Sequence, residues 1–578
     1  MSAGLPSTSD NSRALYIDVA PDPVFAVLHE AVGAAGDAAV LFVSPFGWED
    51  MASYRARREW AQALAAAGVP ALRFDMPGSG DSAGAPTDPD RVAAWLDAID
   101  GAARWLRHET GRPRIVAIGM GLGALLAVRA TERGAPIDDL VLWGGRASGR
   151  ALVRELKAFS RMEGTLDDAT EGGLPVAGYL LSDQTAADLG AIDLSTLDFA
   201  GPVPGRALLL DREGAPADEA LAAALAAAGT AIATAPGPGY GDLLDWIHHS
   251  VDTAVVVRVS GWIGEGQGSA PGAPAEAPPA PGDNGAMTVA DGVVESPVLA
   301  AGLFGIVARP QNREAEDLCL VLVNPGPQRR IGPNRMWVEM ARRWAARGVP
   351  TVRLDIPGLG DSEGDVGRFR ETAGLYVDEI VTELRLALDG LVAAGLPDRF
   401  VVGGLCSGAF WSFHAAAQDD RVVGALMLNP SVLVWDQFLS VARNARAMRR
   451  KLLRPRSWAR ALTGRSDYGT HVATLKGIAT RPGGAPVIGR APQAMRAASV
   501  EPLLDRLGGK RALMLFAGRP ALLEELETEG ILAGLDRWPG ISVEHIPADG
   551  DTHTLRPVRL QREAHRIVDE ALDEIVRG

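Results

Sequence analysis

The sequence predicts an α/β fold built as two tandem domains, each a mostly parallel sheet covered by helices and carrying an inserted lid. A chain of 578 residues is too long for one hydrophobic core, so at least two domains are expected. Its two halves resemble each other along the chain. Within each half, short apolar runs alternate with helical patterns, which is typical of parallel strands buried on both faces.

The repeat locates the domains. Residues 60–84 align without a gap on residues 340–364, and both stretches contain the pattern D-x-P-G-x-G-D-S. A repeat of this length indicates a duplicated domain rather than a solenoid. The segment from about 264 to 285 is rich in Gly, Ala and Pro and is typical of a linker. We therefore expect domains at 1–262 and 291–578, a linker at 263–290, and a lid at about 436–500.

Composition excludes several classes of protein. With 47% hydrophobic and 22% charged residues the chain is globular, and its net charge of −15 argues against a nucleic-acid binder. No apolar run approaches the roughly 20 residues that span a bilayer, and residues 1–13 lack a leader pattern. The two cysteines, Cys319 and Cys406, suit a reducing compartment. We expect a cytoplasmic protein without metal or cofactor, and a homodimer is one open arrangement.

In the second half the elements can be assigned in order from apolar runs and helical periodicity. The predicted strands and helices are Leu318–Val323 (strand), Arg335–Arg347 (helix), Thr351–Asp355 (strand), Val377–Ala394 (helix), Phe400–Val402 (strand), a helix from about Ala409, Gly424–Leu428 (strand), Ala512–Phe516 (strand) and Ser542–Ile546 (strand). In open α/β sheets, ligands bind at the carboxyl ends of such strands.

The pentapeptide Gly404–Gly408 (GLCSG) lies between one of these strands and a helix. This strand–turn–helix context is typical of a nucleophile elbow, G-x-Nuc-x-G, with Cys406 in the nucleophile position. The flanking glycines would let strand and helix pack closely, while the central residue takes a strained backbone. The first half repeats the elbow as Gly119–Gly123 (GMGLG), in which Gly121 has no side chain to attack with.

The repeated D-x-P-G-x-G-D-S, the Pro-Gly turn before it and the elbow after it resemble the serine aminopeptidase-like branch of the α/β hydrolases. Residues 45–49 (PFGWE) and 142–143 (LW) also resemble hydrolases found beside bacterial exosortase or polysaccharide loci. The resemblance spans nearly all of both halves. It implies two tandem α/β-hydrolase domains, the second active and the first degenerate, but it leaves the substrate open because this fold hosts many reactions.

The resemblance implies a base from a loop near the C-terminus, and His553 lies in such a loop. Cys406 is then the nucleophile. The acid is open, because the family's Gly-x-x-Asp-Pro pattern is broken at residues 518–521. Glu524 (or the adjacent Glu525) and Asp436 are the candidates, and a Cys–His pair can also work without an acid.

The oxyanion hole is expected to combine the backbone N–H of Ser407 with one from the turn at 324–328. Pro325 and Pro327 have no N–H, so only Gly326 or Gln328 can supply it. In the first half, aligning the two copies places Asp242 where His553 stands, so that copy lacks both nucleophile and base. It is expected to serve packing or partner binding.

Between residues 436 and 467 the chain has many arginines, among them Arg446, Arg449 and Arg450, and no acidic residue. Such a cluster suits an anionic group on the substrate, as on coenzyme A or an acyl carrier protein, or else a solvated helix face. The expected function is acyl transfer from an ester or thioester through an acyl-cysteine, by a thioesterase or acyltransferase. The alternatives are a non-catalytic binding protein and a lactone-type ester hydrolase.

Overall fold

The structure is a computed structural model, and it describes residues 7–9, 11–33, 36–163, 172–212, 214–244, 250–266, 285–369, 372–435, 493–548 and 552–577. Within these ranges the chain forms two nine-stranded sheets with helices on their faces. In each sheet three antiparallel pairings at one side are followed by five parallel pairings. This arrangement confirms the predicted fold class.

The first domain holds eleven strands, nine in the large sheet and two in a separate hairpin, within the described residues. Its strands are β1 (Ser7–Ser9), β2 (Ser12–Ile17), β3 (Val24–His29), β4 (Ala38–Val43), β5 (Ala71–Phe74), β6 (Arg114–Met120), β7 (Asp139–Trp143), β8 (Gly173–Val176), β9 (Tyr179–Ser182), β10 (Arg206–Leu210) and β11 (Ala231–Ala235). Its helices are α1 (Trp48–Ala66), α2 (Arg91–Thr110), α3 (Leu122–Glu132), α4 (Gly149–Met162), α5 (Asp183–Ala191), α6 (Glu219–Ala227) and α7 (Thr253–Glu265), with a 3-10 turn at Asp242–Leu244. The large sheet has the order β1-β2-β3-β5-β4-β6-β7-β10-β11.

The second domain repeats this strand order as β12-β13-β14-β16-β15-β17-β18-β19-β20. Its strands are β12 (Met287–Ala290), β13 (Val293–Ala300), β14 (Leu303–Pro310), β15 (Cys319–Val323), β16 (Thr351–Leu354), β17 (Phe400–Leu405), β18 (Val422–Leu428), β19 (Arg511–Ala517) and β20 (Ile541–Ile546). Its helices are α8 (Met336–Ala346), α9 (Asp378–Ala393), α10 (Ser407–Gln418), α11 (Gln493–Leu507), α12 (Ala521–Thr528) and α13 (Val558–Arg577), with 3-10 turns at Pro333–Arg335, Val366–Phe369, Thr372–Leu375 and Leu532–Arg537. The matching orders are consistent with two tandem domains.

The elements follow from simple residue patterns. All five residues of β15 are buried, as expected for a central parallel strand covered on both faces. In α13, buried residues recur every one to four positions on one side of an otherwise charged helix, so the apolar stripe faces the sheet. None of the helices in the described ranges has both the length and the apolar character that a membrane crossing requires.

Two boundaries differ from the sequence expectation. Helix α7 continues to Glu265, and β12 already begins at Met287, so regular structure enters both ends of the predicted linker at 263–290. Most of the predicted second lid lies outside the described residues, apart from the start of α11. In the first domain the insertion between β7 and β10 contains α4, the β8–β9 hairpin and α5, where a lid was expected.

The two domains meet through their copies of the D-x-P-G-x-G-D-S segment, and the contact is reciprocal. Arg73 of the first domain donates to Asp361 of the second (2.8 Å), while Arg353, its counterpart in the repeat, donates to Asp81 (3.0 Å). Arg330 lies between the copies and reaches Asp81 at 2.8 Å. All these side chains are buried, and the arginines hold the pKa of Asp361 well below its usual range despite its burial.

Candidate active site

Cys406 is positioned by a sharp elbow between β17 and α10. Its backbone angles are φ 59° and ψ −112°, a region that L-residues rarely adopt, as the sequence pattern predicted. A Cβ on Gly404 would lie 2.4 Å from the carbonyl carbon of Gly408, and a Cβ on Gly408 would lie 2.6 Å from the carbonyl oxygen of Asn324. Only glycine fits at both positions, and the elbow therefore lifts the thiol above the carboxyl edge of the sheet.

Three side chains surround the Cys406 thiol. The imidazole of His553 is hydrogen-bonded to it. The hydroxyl of Ser431 lies 3.5 Å from Sγ, and the hydroxyl of Tyr376 lies 3.7 Å from it. The structure therefore brings together Cys406 and His553, which are 147 residues apart in the sequence.

The electrostatics of this cluster favour the thiolate. Burial raises the pKa of the Cys406 thiol, but the charge and hydrogen bond of His553, with hydrogen bonds from Ser431 and Tyr376, outweigh it. The result is a pKa lowered from its ordinary value to about 7. The other cysteine behaves in the opposite way, because burial raises the pKa of Cys319 to about 12. Of the two cysteines, only Cys406 therefore has a thiol that ionises near neutral pH.

A network of backbone contacts holds the His553 loop. Asn429, just after β18, donates from Nδ2 to the carbonyls of Thr552 (3.2 Å) and His553 (2.9 Å). The Oδ1 of Asn429 accepts from the N–H of Ala517 (2.7 Å), and the hydroxyl of Thr552 donates to the Ala517 carbonyl (2.8 Å). The histidine is thus fixed to the ends of β18 and β19 rather than left on a free loop.

An aromatic wall stands beside the thiol. The ring of Tyr376 stacks on Trp435, with centroids 4.7 Å apart and planes within 7°, and it meets Phe410 edge-on at 5.3 Å. The stacked contact with Trp435 and the edge-on contact with Phe410 together fix the direction of the Tyr376 hydroxyl. His414 packs against Phe410 at 4.2 Å and bonds through Nε2 to the Leu433 carbonyl (2.9 Å), so it is part of the packing behind this wall.

The predicted oxyanion donors lie near the elbow, but two already have intramolecular acceptors. The N–H of Gly326 donates to the hydroxyl of Ser407 (3.0 Å), and the N–H of Gln328 donates to the carbonyl of Pro325 (3.3 Å). Ser407 itself begins α10, where backbone N–H groups lack helical acceptors. Its N–H therefore needs no helical acceptor, and its role as an oxyanion donor stays a prediction.

The remaining predicted residues are placed as follows. Glu524 lies in the first turn of α12, which follows β19 as expected, and it is half-buried. Its role as triad acid stays a prediction. Asp436 and the arginines Arg446, Arg449 and Arg450 lie outside the described residues.

The first domain has the same elbow without a nucleophile. Gly121 has φ 51° and ψ −117°, close to the angles of Cys406. A Cβ on Gly121 would lie 2.6 Å from Oε2 of Glu49 and 2.9 Å from the hydroxyl of Tyr240. The space that a nucleophile would need is therefore filled by a carboxyl group and a phenol, and burial raises the pKa of Glu49 to about 7. Asp242, aligned with His553, is exposed on a 3-10 turn.

Sequence reasoning missed Tyr376, Ser431 and Asn429. Asn429 and Ser431 directly follow β18, and residues at the carboxyl ends of central strands are where this architecture gathers its ligand-binding groups. That position was the available signal. Tyr376 lies between a 3-10 turn and α9 in a stretch without any motif, so no sequence signal pointed to it.

Comparison with known proteins identifies the fold. Residues 40–296 match the sequence model of the alpha/beta hydrolase family, a span that contains most of the first domain and the start of the second. The chain has the α/β-hydrolase fold. The match falls on the copy with glycine at its elbow and does not reach Cys406 or His553. Family match and fold support an enzyme of this kind, and no curated protein matches the chain.

Several solved structures are similar to part of the α/β-hydrolase chain. One is XC6422 from Xanthomonas campestris, described as an a/b serine hydrolase without lid, at 15% identity over 46% of this chain and all of its own, with a TM-score of 0.31. Another is Est1E from Butyrivibrio proteoclasticus with ferulic acid bound, at 18% identity over 44% of this chain and 98% of its own, with a TM-score of 0.33. The hypothetical protein PA2218 from Pseudomonas aeruginosa covers 46% of this chain and 97% of its own at 16% identity and a TM-score of 0.32.

Proposed function

We propose that the second domain catalyses acyl transfer from a thioester or ester through an acyl-cysteine on Cys406. The observation that carries this proposal is the Cys406–His553 hydrogen bond at a strained elbow, with a thiol pKa of about 7. A thiol with its pKa lowered in this way forms thiolate near neutral pH, and a thiolate is a strong nucleophile. The proposal covers both a thioesterase and an acyltransferase, which differ only in the acceptor.

The reaction has two balanced steps. The thiolate of Cys406 attacks the carbonyl carbon of the donor, a C–S bond forms, and the carbonyl oxygen becomes an oxyanion. The intermediate collapses, the bond to the leaving thiol or alcohol breaks, and His553 supplies the proton to that group. Water or an acceptor then attacks the acyl-cysteine, His553 takes its proton, and the thiolate leaves.

A thioester is the preferred donor within this proposal. Exchange between two thioesters is nearly isoenergetic, so an acyl-cysteine forms readily and stays reactive. The sequence adds the arginines Arg446, Arg449 and Arg450, which would suit the phosphates of coenzyme A or of a carrier-bound phosphopantetheine. That donor class is part of the proposal.

The direct test is to mix the protein with an acyl-coenzyme A, an oxygen ester and a lactone, quench rapidly, and weigh it intact. We expect an acyl adduct that maps to Cys406 and not to Cys319, forming fastest with the thioester. Faster adduct formation with the lactone would favour the ester hydrolase instead. No adduct with any donor, combined with full turnover after Cys406→Ala, would refute covalent catalysis on Cys406. No adduct and no turnover with any donor would leave the binding-protein alternative.

We further propose that the Tyr376 hydroxyl helps stabilise the oxyanion, because the Gly326 N–H is engaged by Ser407 while Tyr376 faces the thiol. Tyr376→Phe keeps the stacked ring and removes only the donor. We expect kcat to fall by about 10²-fold with a smaller change in KM, the size found when one oxyanion donor is lost. Steady-state kinetics measure this change. An unchanged kcat would show that the Tyr376 hydroxyl is not an oxyanion donor and would favour the N–H of Gly326 instead.

A further inference from the structure

The loop before α8 departs from the repeat in a way that points to the role of the first domain. In the first copy the helix begins at Trp48, soon after β4, whereas in the second copy residues 324–335 run as loop and 3-10 turn before the helix begins. Within this loop Asn334 (φ 52°) and Arg335 (φ 70°) take left-handed backbone angles. Such angles persist in non-glycine residues only where the surroundings impose them.

The first domain supplies those surroundings. Arg335 donates to the first-domain carbonyls of Gly80 (2.9 Å), Ser82 (2.8 Å) and Gly84 (3.0 Å). Arg329, next to the predicted oxyanion turn, donates to both carboxylate oxygens of Asp75 at 3.0 Å and to Asp50 at 3.1 Å. Both arginines are buried, so their partners cannot be replaced by water without cost.

The same loop connects to the loop that carries His553. The side-chain amide of Asn334 donates to the carbonyls of Thr554 and Leu555, each at 3.2 Å. Leu555 has a left-handed φ of 53°, so this loop also needs external support. The side chain of Asn334 therefore links the loop that contains the predicted oxyanion turn to the loop that carries His553.

The first domain contacts this junction as well. A Cβ on Gly178, in the β8–β9 hairpin, would lie 2.2 Å from Oδ1 of Asn334, so the hairpin backbone packs directly on that amide. Gln561 donates to the Gly178 carbonyl (2.8 Å). Arg556, three residues after His553, forms an ion pair with Glu163 at the end of α4, and its guanidinium stacks on Trp48 at 4.5 Å.

We propose that the first domain activates the second domain by contact. Its β8–β9 hairpin and its acidic residues hold the loops that carry Gly326 and His553 in the correct position relative to Cys406. The proposal rests on the proposed function of the second domain and assigns the degenerate copy its role. Asn334, Arg335 and Arg556 are positioning residues that act through His553. Because a thiol–imidazole contact depends on sub-ångström placement, a shift that begins in the hairpin should reach the reactivity of the thiol.

The chain offers a matched pair of substitutions. Gly178→Ala and Gly172→Ala introduce the same methyl group at nearly the same backbone angle, φ +98° and +97°, in and beside one hairpin. Only the first meets Asn334, since a Cβ on Gly172 has nothing within 4 Å. The difference between the two variants therefore separates the effect of the contact with Asn334 from the cost of placing alanine at a positive φ. Thermal unfolding of both variants checks that they are equally stable.

The readouts are the pH dependence of Cys406 alkylation by iodoacetamide and the turnover of the best thioester donor, both in the full chain. The alkylation midpoint is the pH at which the rate of Cys406 alkylation is half of its maximum. We expect Gly178→Ala to raise this midpoint above about 7 and to lower turnover at least tenfold, while Gly172→Ala matches the parent protein. Equal behaviour of the two variants overturns the proposal. If the parent has the low midpoint but turns over no donor, the proposed function fails and the alkylation midpoint still decides the role of the first domain.

A charge exchange gives an independent answer if Gly178→Ala does not fold. The pair Glu163–Arg556 is half-exposed, with side chains 29% and 22% accessible, so it tolerates reversal better than the buried pairs. Glu163→Arg and Arg556→Glu singly should raise the alkylation midpoint and lower turnover, and the double variant should recover both. Single variants that leave both readouts at parental values would overturn the proposal.

Discussion

Replacing Cys406 with alanine should reduce acyl transfer by at least about 10⁴-fold, because the methyl side chain of alanine cannot form the covalent intermediate. Alanine keeps a Cβ at the elbow, so the strained backbone of Cys406 (φ 59°) is not relieved or worsened. Thermal unfolding should therefore change little. Turnover of the best thioester donor and intact mass after acylation measure the effect.

The matched control for this substitution is Cys319→Ala. Cys319 is fully buried in β15 and burial raises the pKa of its thiol to about 12, so it takes no part in chemistry near neutral pH. This variant should keep full turnover and still acquire the adduct on Cys406. Retained turnover in Cys406→Ala would show that the elbow cysteine is not the nucleophile.

His553→Asn should have the second largest effect, and it separates two contributions of the imidazole. Burial raises the pKa of the Cys406 thiol, and the charge and hydrogen bond of His553 lower it. Without His553 the pKa should therefore return from about 7 toward or above 9. At pH 7 the thiolate fraction then falls by about 50-fold, while each thiolate becomes roughly eightfold more nucleophilic. Alkylation by iodoacetamide at pH 7 should therefore slow by about sixfold.

Turnover should fall much further than alkylation in His553→Asn, by an additional factor of about 10²–10⁴, because proton transfer to the leaving group and from the acceptor is also lost. Parallel pH profiles of alkylation and turnover measure the two losses separately. His108→Asn is the control, since His108 is exposed on α2 of the first domain. An alkylation midpoint that stays at about 7 in His553→Asn would contradict the proposed pair.

The sequence allowed the fold to be predicted because its signals are local and strong. Buried parallel strands are continuous apolar runs, and the predicted strand at Gly424–Leu428 differs from β18 (Val422–Leu428) by two residues at its start. The elbow could be recognised because Gly404 and Gly408 each face a close backbone contact that excludes any side chain. Steric requirements of this kind leave a pattern in the residues themselves.

The rest of the site has no such local signal. Tyr376 and Ser431 lie near the thiol only because of the conformation of the two loops that carry them. In the sequence, the polar residues of these loops resemble many others in the chain. The D-x-P-G-x-G-D-S repeat was visible, but the reciprocal pairing of Asp81 and Asp361 with the opposite domain depends on a contact between copies. The spacing of residues along the sequence cannot show that the two copies contact each other.

The reciprocal contact between the D-x-P-G-x-G-D-S segments has a consequence for any attempt to divide this protein. The first half expressed alone would lose both guanidinium partners of Asp81, Arg330 and Arg353, whereas the second half alone would lose Arg73 but keep Arg330 beside Asp361. Removing one partner of a buried ion pair costs about 3–5 kcal/mol where the remaining charge stays buried, and that is a large part of the 5–15 kcal/mol that keeps a typical domain folded. The two halves therefore share buried ion pairs, and a truncated chain would expose these charged side chains and lose the partners that the other half supplies.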